Sequence, residues 1–241
     1  MAALLELDRV EKAYGALKVA DGITLGVAEG EALGVIGPNG AGKSTLFNLI
    51  TGDVAPDFGR LSFAGRDITR MPAHRRSRLG IGRSYQIPHP FANMTVFENL
   101  LVGGIFGAGR SERESYPHCA EVLELAGLID KANVPAGSLT LLQRKRLELA
   151  RALAMRPRLL LLDEIGGGLS EHECQELVET IRAIHARGTT IIWIEHIVHA
   201  LLSVASRLIV INFGQLLAQG EPRSVMADPR VQEVYMGIPA S

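Results

Sequence analysis

The segment Gly37-Pro38-Asn39-Gly40-Ala41-Gly42-Lys43-Ser44 constrains this chain more than any other feature, because two glycines separated by four residues and followed by Lys and Ser fit the spacing of a phosphate-binding loop. The six residues before it, 31–36, read as a short buried strand, and residues 43–51 read as a helical run. Glycines are needed there because the backbone must turn tightly and bring its N–H groups against phosphate oxygens with no Cβ in the way. The helix starting at Lys43 would aim its positive end at the same anion. Lys43 would neutralise the β- and γ-phosphates and Ser44 would give its hydroxyl to Mg²⁺. A glycine-rich strand-to-helix turn that binds nothing is the competing reading, and the order strand, loop, helix argues against it. Gly104, Gly107 and Gly109, and the run Gly166 to Gly168, lack such spacing and read as loops.

Further along, Leu159-Leu160-Leu161-Leu162-Asp163-Glu164 is an apolar strand ending in two carboxylates, which are costly to place there without a cation. This sets Asp163 to face Mg²⁺ and Glu164 to polarise an attacking water. Residues 190–194 form another apolar strand and lead into Glu195-His196, at the carboxyl edge of a sheet where ligands collect. With residues 208–211 as a fourth apolar run, the pattern predicts an α/β fold with a mostly parallel sheet. Residues 91–156 change to helical periodicity, as in Ala120, Leu123 and Ala126 interleaved with Glu121 and Glu124. They are expected to form a helical lobe, residues 88–156, inserted in an α/β lobe made of residues 1–87 and 157–241. A helix starting near Leu142 is expected to be stopped by Pro157, which disfavours helix in the residue before it.

Composition narrows the function classes. The 241 residues are 47% hydrophobic, enough to bury a sizeable core. A formal net charge of -1 gives no electrostatic footprint for general nucleic-acid binding. Residues 1–14 place Glu6, Asp8 and Glu11 among the leucines and lack the basic-then-apolar order of a secretory signal. Residues 189–213 are interrupted by Glu195, His196, His199 and Arg207, so they do not read as a bilayer span. Cys119 and Cys174 are too few and too isolated for a disulfide framework or a thiolate zinc site, which fits a reducing compartment.

In their order these motifs resemble the ABC ATPase family, from the first strand almost to the C-terminus. Its Walker A segment corresponds to residues 37–45, including Thr45, its Q-loop to Gln86 within Arg83-Ser84-Tyr85-Gln86, its Walker B to residues 159–163 and its switch histidine to His196. The resemblance implies a P-loop ATPase in which Glu164, His196 and Lys43 serve hydrolysis, Ser44, Gln86 and Asp163 face Mg²⁺, and Tyr14 stacks on adenine. Tyr14 also reads as an ordinary strand-edge tyrosine, and His199 as structural. ATP and Mg²⁺ are the implied ligands. Such ATPases dimerise head to tail, so Thr140 and Leu142 of the signature-like loop would face the partner's ATP.

Within the family, Arg83-Ser84-Tyr85-Gln86, Met94-Thr95-Val96-Phe97-Glu98-Asn99, Pro135-Ala136-Gly137, Asp228-Pro229-Arg230-Val231 and Tyr235-Met236-Gly237 look like the importers of branched-chain amino acids and related amides or aromatic acids. The ATPase of lipopolysaccharide export is a similar alternative. Integral membrane permease subunits, a second ATPase subunit in a hetero- or homodimer and, indirectly, a solute-binding protein are the implied partners. The implied place is the cytoplasmic face of the inner membrane, as a peripheral protein.

Three positions depart from the pattern. Leu139-Thr140-Leu141-Leu142-Gln143 stands in place of an LSGGQ-like signature, with Leu142 where a glycine backbone should approach the γ-phosphate. A Cβ there costs about 1–2 kcal/mol if the backbone is left-handed. Ile165 replaces a proline, and Ser170 stands where the loop often has an acid. These departures keep open a nucleotide-dependent binding module with little hydrolysis. The helix led by this loop is expected to bury Leu147, Ala150 and Leu153 and to keep Arg144, Arg146, Glu148 and Arg151 off that face. Arg66, Arg70, Arg75, Arg76, Arg78 and Arg83 read as a solvated basic face, with a nucleic-acid or lipid-headgroup patch as the alternative.

Overall fold

The computed structural model of the chain describes residues 3–236, so Gly237, where the C-terminal resemblance ends, lies outside the described residues. The chain divides into two compact units, one of residues 1–73 and 190–241 and the other of residues 74–189.

In the first unit, β3 (Ala32–Ile36) is buried along its whole length and runs parallel to β8 (Thr190–Ile194) and β9 (Arg207–Asn212). Uninterrupted apolar runs such as Ile191-Ile192-Trp193-Ile194 belong to strands covered on both faces, where alternation has no advantage. β10 (Gln215–Gly220) pairs antiparallel with β9. β3 feeds through the glycine-rich loop into α1 (Lys43–Thr51), with the bounds its sequence predicts.

The sequence reading assigns no antiparallel sheet to the N-terminal residues, and the structure adds one. β1 (Ala3–Tyr14) and β2 (Leu17–Ala28) form a hairpin, β4 (Phe58–Phe63) pairs with β1, and the short β5 (Arg66–Asp67) pairs with β4. Leu5, Leu7, Ile23, Leu25 and Val27 are buried at alternate positions, the period of a half-buried strand. Repeated register shifts between β1 and β2 break that period over Val10 to Ala13, which masks it in the sequence.

In the second unit, β6 (Ile81–Arg83) and β7 (Leu159–Asp163) are parallel, and the chain between them is helical. It forms α3 (Val96–Val102), α4 (Glu112–Leu125) and α5 (Leu141–Ala154); α6 (Glu171–Ala186) follows β7. Each of these helices starts on a capping box: Thr95 with Glu98, Ser111 with Glu114, Thr140 with Gln143 and Ser170 with Glu173. In each box a hydroxyl accepts a hydrogen bond from an otherwise orphaned N–H, and the acid or amide reaches back to the cap's own N–H. Ser170 thus has a structural reason, as the cap of α6.

α5 stops short of Pro157, as the sequence predicts, since proline disfavours helix in the residue before it. The helix ends at Ala154, and Arg156 takes a left-handed φ of 53°, so the chain has already left the helix before the proline. The predicted polar face of α5 needs correction: Leu147, Ala150 and Leu153 are buried as expected, yet Glu148 and Lys145 are buried with them. Among the described residues no helix is long and apolar enough to cross a membrane, and Cys119 and Cys174 are buried free thiols.

Candidate active site

In the first unit the phosphate loop is held by close backbone packing. A Cβ on Gly42, whose φ is 105°, would lie 2.2 Å from the Val19 carbonyl oxygen, and one on Gly37 would lie 2.1 Å from that of Ile211. No other residue fits these positions without moving a neighbouring strand. The Ala41 N–H donates to the Pro38 carbonyl at 3.2 Å and the Gly214 N–H to the Ala41 carbonyl at 2.9 Å, closing the loop against the turn between β9 and β10. Asn39 and Gly40 are exposed at its tip, Ser44 is exposed, and Thr45 is half-buried on α1.

Gly42 caps α1 without a side-chain hydrogen bond to the helix, the arrangement in which first-turn N–H groups serve an anion. Lys43 is buried, and its Nζ donates to the carbonyls of Gly37 at 2.7 Å and Pro38 at 3.0 Å. The ammonium is therefore already drawn over the loop that it serves. Tyr14 ends β1 opposite Leu17, half of its surface open, with Lys12 Nζ 5.6 Å from its ring centre. His196 is exposed two residues past β8, after the buried Glu195.

In the second unit two consecutive carboxylates are gripped by one segment. Arg83, the last residue of β6, donates from its terminal guanidinium nitrogen to Asp163 Oδ2 at 2.6 Å. Three residues on, Gln86 Nε2 donates to Glu164 Oε2, also at 2.6 Å. The parallel register explains both: Arg83 is level with Leu161, and the Ser84 N–H donates to the Leu161 carbonyl at 2.9 Å, so the two segments leave the sheet side by side. Asp163 is 7% exposed, whereas Glu164 is half-buried and left-handed, with φ 46°. A non-glycine residue held there stores about 1–3 kcal/mol of strain, which clusters at functional sites.

The buried groups of α5 hold the segment after Gln86. Lys145 Nζ donates to the Gln86 carbonyl at 3.4 Å, and Arg151 donates to the His89 carbonyl and to Glu148 Oε2, both at 3.0 Å. The Arg151 guanidinium also lies 5.0 Å from the Phe91 ring centre. Burial pushes the Glu148 carboxyl above its ordinary range, and Arg151 opposes that rise.

Two sequence readings change. Thr140 is the N-cap of α5, and Leu141 and Leu142 are its first helical residues, so Leu142 carries no left-handed cost; its half-buried bulk remains. The basic stretch is not one solvated face, since Arg76 is 1% exposed and Arg83 is paired with Asp163. Sequence reasoning missed Arg83, Lys145 and Glu148. The first ends a strand that lies level with Leu161 of the acidic one, a relation no local pattern carries, whereas the T-x-x-Q cap at Thr140 was legible.

A glycine loop opening a helix, together with paired carboxylates at the end of an apolar strand, defines a P-loop nucleoside triphosphatase. The ABC transporter family model matches residues 20–166, and a model described as branched-chain amino acid ATP-binding cassette transporter matches residues 215–240. The chain therefore belongs to the ABC transporter family, and it is an ATPase with the α/β fold of that family's ATP-binding cassettes.

It is 36% identical to the high-affinity branched-chain amino acid transport ATP-binding protein BraF of Pseudomonas aeruginosa, over 97% of this chain and 98% of that one. It is equally 36% identical to the lipopolysaccharide export system ATP-binding protein LptB of Acidithiobacillus ferridurans, over 98% of both. A crystal structure of an ABC transporter's ATP-binding cassette in its ADP conformation has a TM-score of 0.91 at 33% identity, covering 99% of this chain and 100% of that one.

Proposed function

We propose that this ATPase drives an importer of branched-chain amino acids or related small solutes. The observation that carries the solute class is the match of residues 215–240 to a model described as branched-chain amino acid ATP-binding cassette transporter, whereas the general match ends at residue 166. The likeness to LptB keeps lipopolysaccharide export as the alternative.

In this reading residues 37–45 bind the phosphates of ATP, with Lys43 against the β- and γ-phosphates and Tyr14 against adenine. The donor set suits Mg²⁺: a hydroxyl at Ser44, an amide at Gln86 and a carboxylate at Asp163 that already accepts a cationic guanidinium. When bound, Mg²⁺ supplies charge neutralisation at the phosphates. Glu164 accepts a hydrogen bond from the attacking water and orients it, and His196 stabilises charge on the γ-phosphate. The glutamine that holds Glu164 at rest, Gln86, precedes the exposed apolar Ile87 and Phe91, which fit contact with a permease. Residues 88–156 act as the signature lobe and residues 1–87 and 157–241 as the ATP-binding lobe. The protein works at the cytoplasmic face of the inner membrane, with integral membrane permease subunits, a second ATPase subunit and, through them, a solute-binding protein.

Phosphate release by the chain, alone and reconstituted with its permease in vesicles, tests this reading. Stimulation by a binding protein loaded with a branched-chain amino acid is the expected result; stimulation by lipopolysaccharide instead would transfer the chain to the export class. Lys43→Ala is expected to abolish tight binding of a fluorescent ATP analogue, because phosphate charge is then left unbalanced in a preformed anion site.

A further inference from the structure

We propose that Arg83 is a positioning residue that takes the cation's side of Asp163 in the nucleotide-free protein and holds down the affinity of the two carboxylates for a divalent ion until nucleotide arrives. The proposal rests on the reading of Asp163 as the magnesium-facing carboxylate.

The Arg83 and Asp163 side chains are 8% and 10% exposed and meet at 2.6 Å, so solvent screens the pair little. Guanidinium is charged at every pH a protein meets, so this compensation is permanent. A second contact holds it, because the guanidinium carbon lies 4.8 Å from the Tyr85 ring centre.

Charge arithmetic gives the consequence. Asp163 and Glu164 together carry two negative charges, a ready attraction for any divalent cation, and Arg83 reduces the sum to one. With one carboxylate oxygen committed to Arg83, Asp163 offers its other oxygen in a set orientation. A divalent ion then finds a strong site only when phosphate oxygens add their own charge. Gln86 grips Glu164 from the same segment, so a change at Asp163 reaches Glu164 through the short stretch 83–86.

Mn²⁺ is the probe, with its free concentration followed by electron paramagnetic resonance in the nucleotide-free full chain. Arg83→Met is expected to bind Mn²⁺ about tenfold or more tightly than wild type, since a buried unit charge is lost beside the site. Arg83→Lys, which keeps the charge, is expected to restore weak binding. The gain should vanish in Arg83→Met with Asp163→Asn. Should the methionine variant not fold by circular dichroism, Arg83→Gln carries the same test, since it keeps a hydrogen-bond donor and loses the charge. Mn²⁺ affinity equal to wild type in the folded neutral variant overturns the proposal. A separate arm with ATP tests the reading beneath it: if Asp163→Asn leaves Mn²⁺–ATP binding unchanged, the magnesium-facing assignment of Asp163 fails, and the role of Arg83 fails with it. If that arm weakens and the neutral variants show no gain, the role of Arg83 alone fails.

Discussion

Gln86 and Glu164, 78 positions apart in the chain, are joined by a hydrogen bond of 2.6 Å from the amide Nε2 to the carboxylate Oε2. The glutamate proposed to orient water is thus tied at rest to the glutamine whose loop α5 holds through Lys145. Nucleotide that engages either residue must change what the other can bond.

Glu164→Gln is expected to keep ATP binding and to slow hydrolysis by a hundredfold or more, on the order of general-base losses. The amide preserves shape while losing the anionic acceptor for water. Single-turnover phosphate release measures it, and a wild-type rate would move the role to another residue.

The signature-like loop is expected to limit turnover of the isolated chain. Thr140→Ser, Leu141→Gly and Leu142→Gly together remove the exposed Leu141 and the half-buried Leu142 side chains from the start of α5, at a helix-propensity cost of about 1 kcal/mol for each glycine. A regained contact with nucleotide is worth about 1.5–3 kcal/mol, or roughly ten- to a hundredfold in rate. The isolated triple variant should gain ATPase activity, and a heterodimer should change little at the site built on this chain's Glu164. A triple variant that folds and gains nothing would show that Leu142 is not what limits turnover.

Glu148 gives stability a pH dependence. Its carboxyl is pushed above the ordinary range by burial, so the fold favours the protonated form. The resulting stabilisation is complete below the unfolded value, about 4.3, and is lost as pH rises through the folded value. Urea melts of wild type and Glu148→Gln across that window should therefore show wild type losing stability relative to the variant as pH rises. Parallel curves would mean that Arg151 compensates the charge in full.

Cys119 should be inert. Burial pushes its thiol up to about 11, leaving almost no thiolate at neutral pH, and Cys174 is buried as well. A thiol reagent is expected to modify neither cysteine in native protein and both in denaturant. Rapid labelling of the native protein would show that α4 or α6 opens readily.

What the sequence by itself determined was local. The spacing of residues 37–44 demands a strand, a tight glycine turn and a helix, and uninterrupted runs such as Leu159-Leu160-Leu161-Leu162 mark strands buried on both faces. α1 and β8 therefore appear with their predicted bounds. The capping boxes at Thr95, Ser111, Thr140 and Ser170 were not read from the sequence, although each closes within four residues. The N-terminal sheet was not legible, since register shifts in β1 blur its period of two. Only the tertiary structure decided that Arg83 meets Asp163 and that Glu148 and Lys145 go inside with the apolar residues of α5. Backbone geometry is set by neighbours in the chain, whereas the partner of a charge is set by which strands lie side by side and in what register. A guanidinium read as solvated and a carboxylate read as facing Mg²⁺ become one buried pair only when β6 and β7 run parallel with Arg83 level with Leu161.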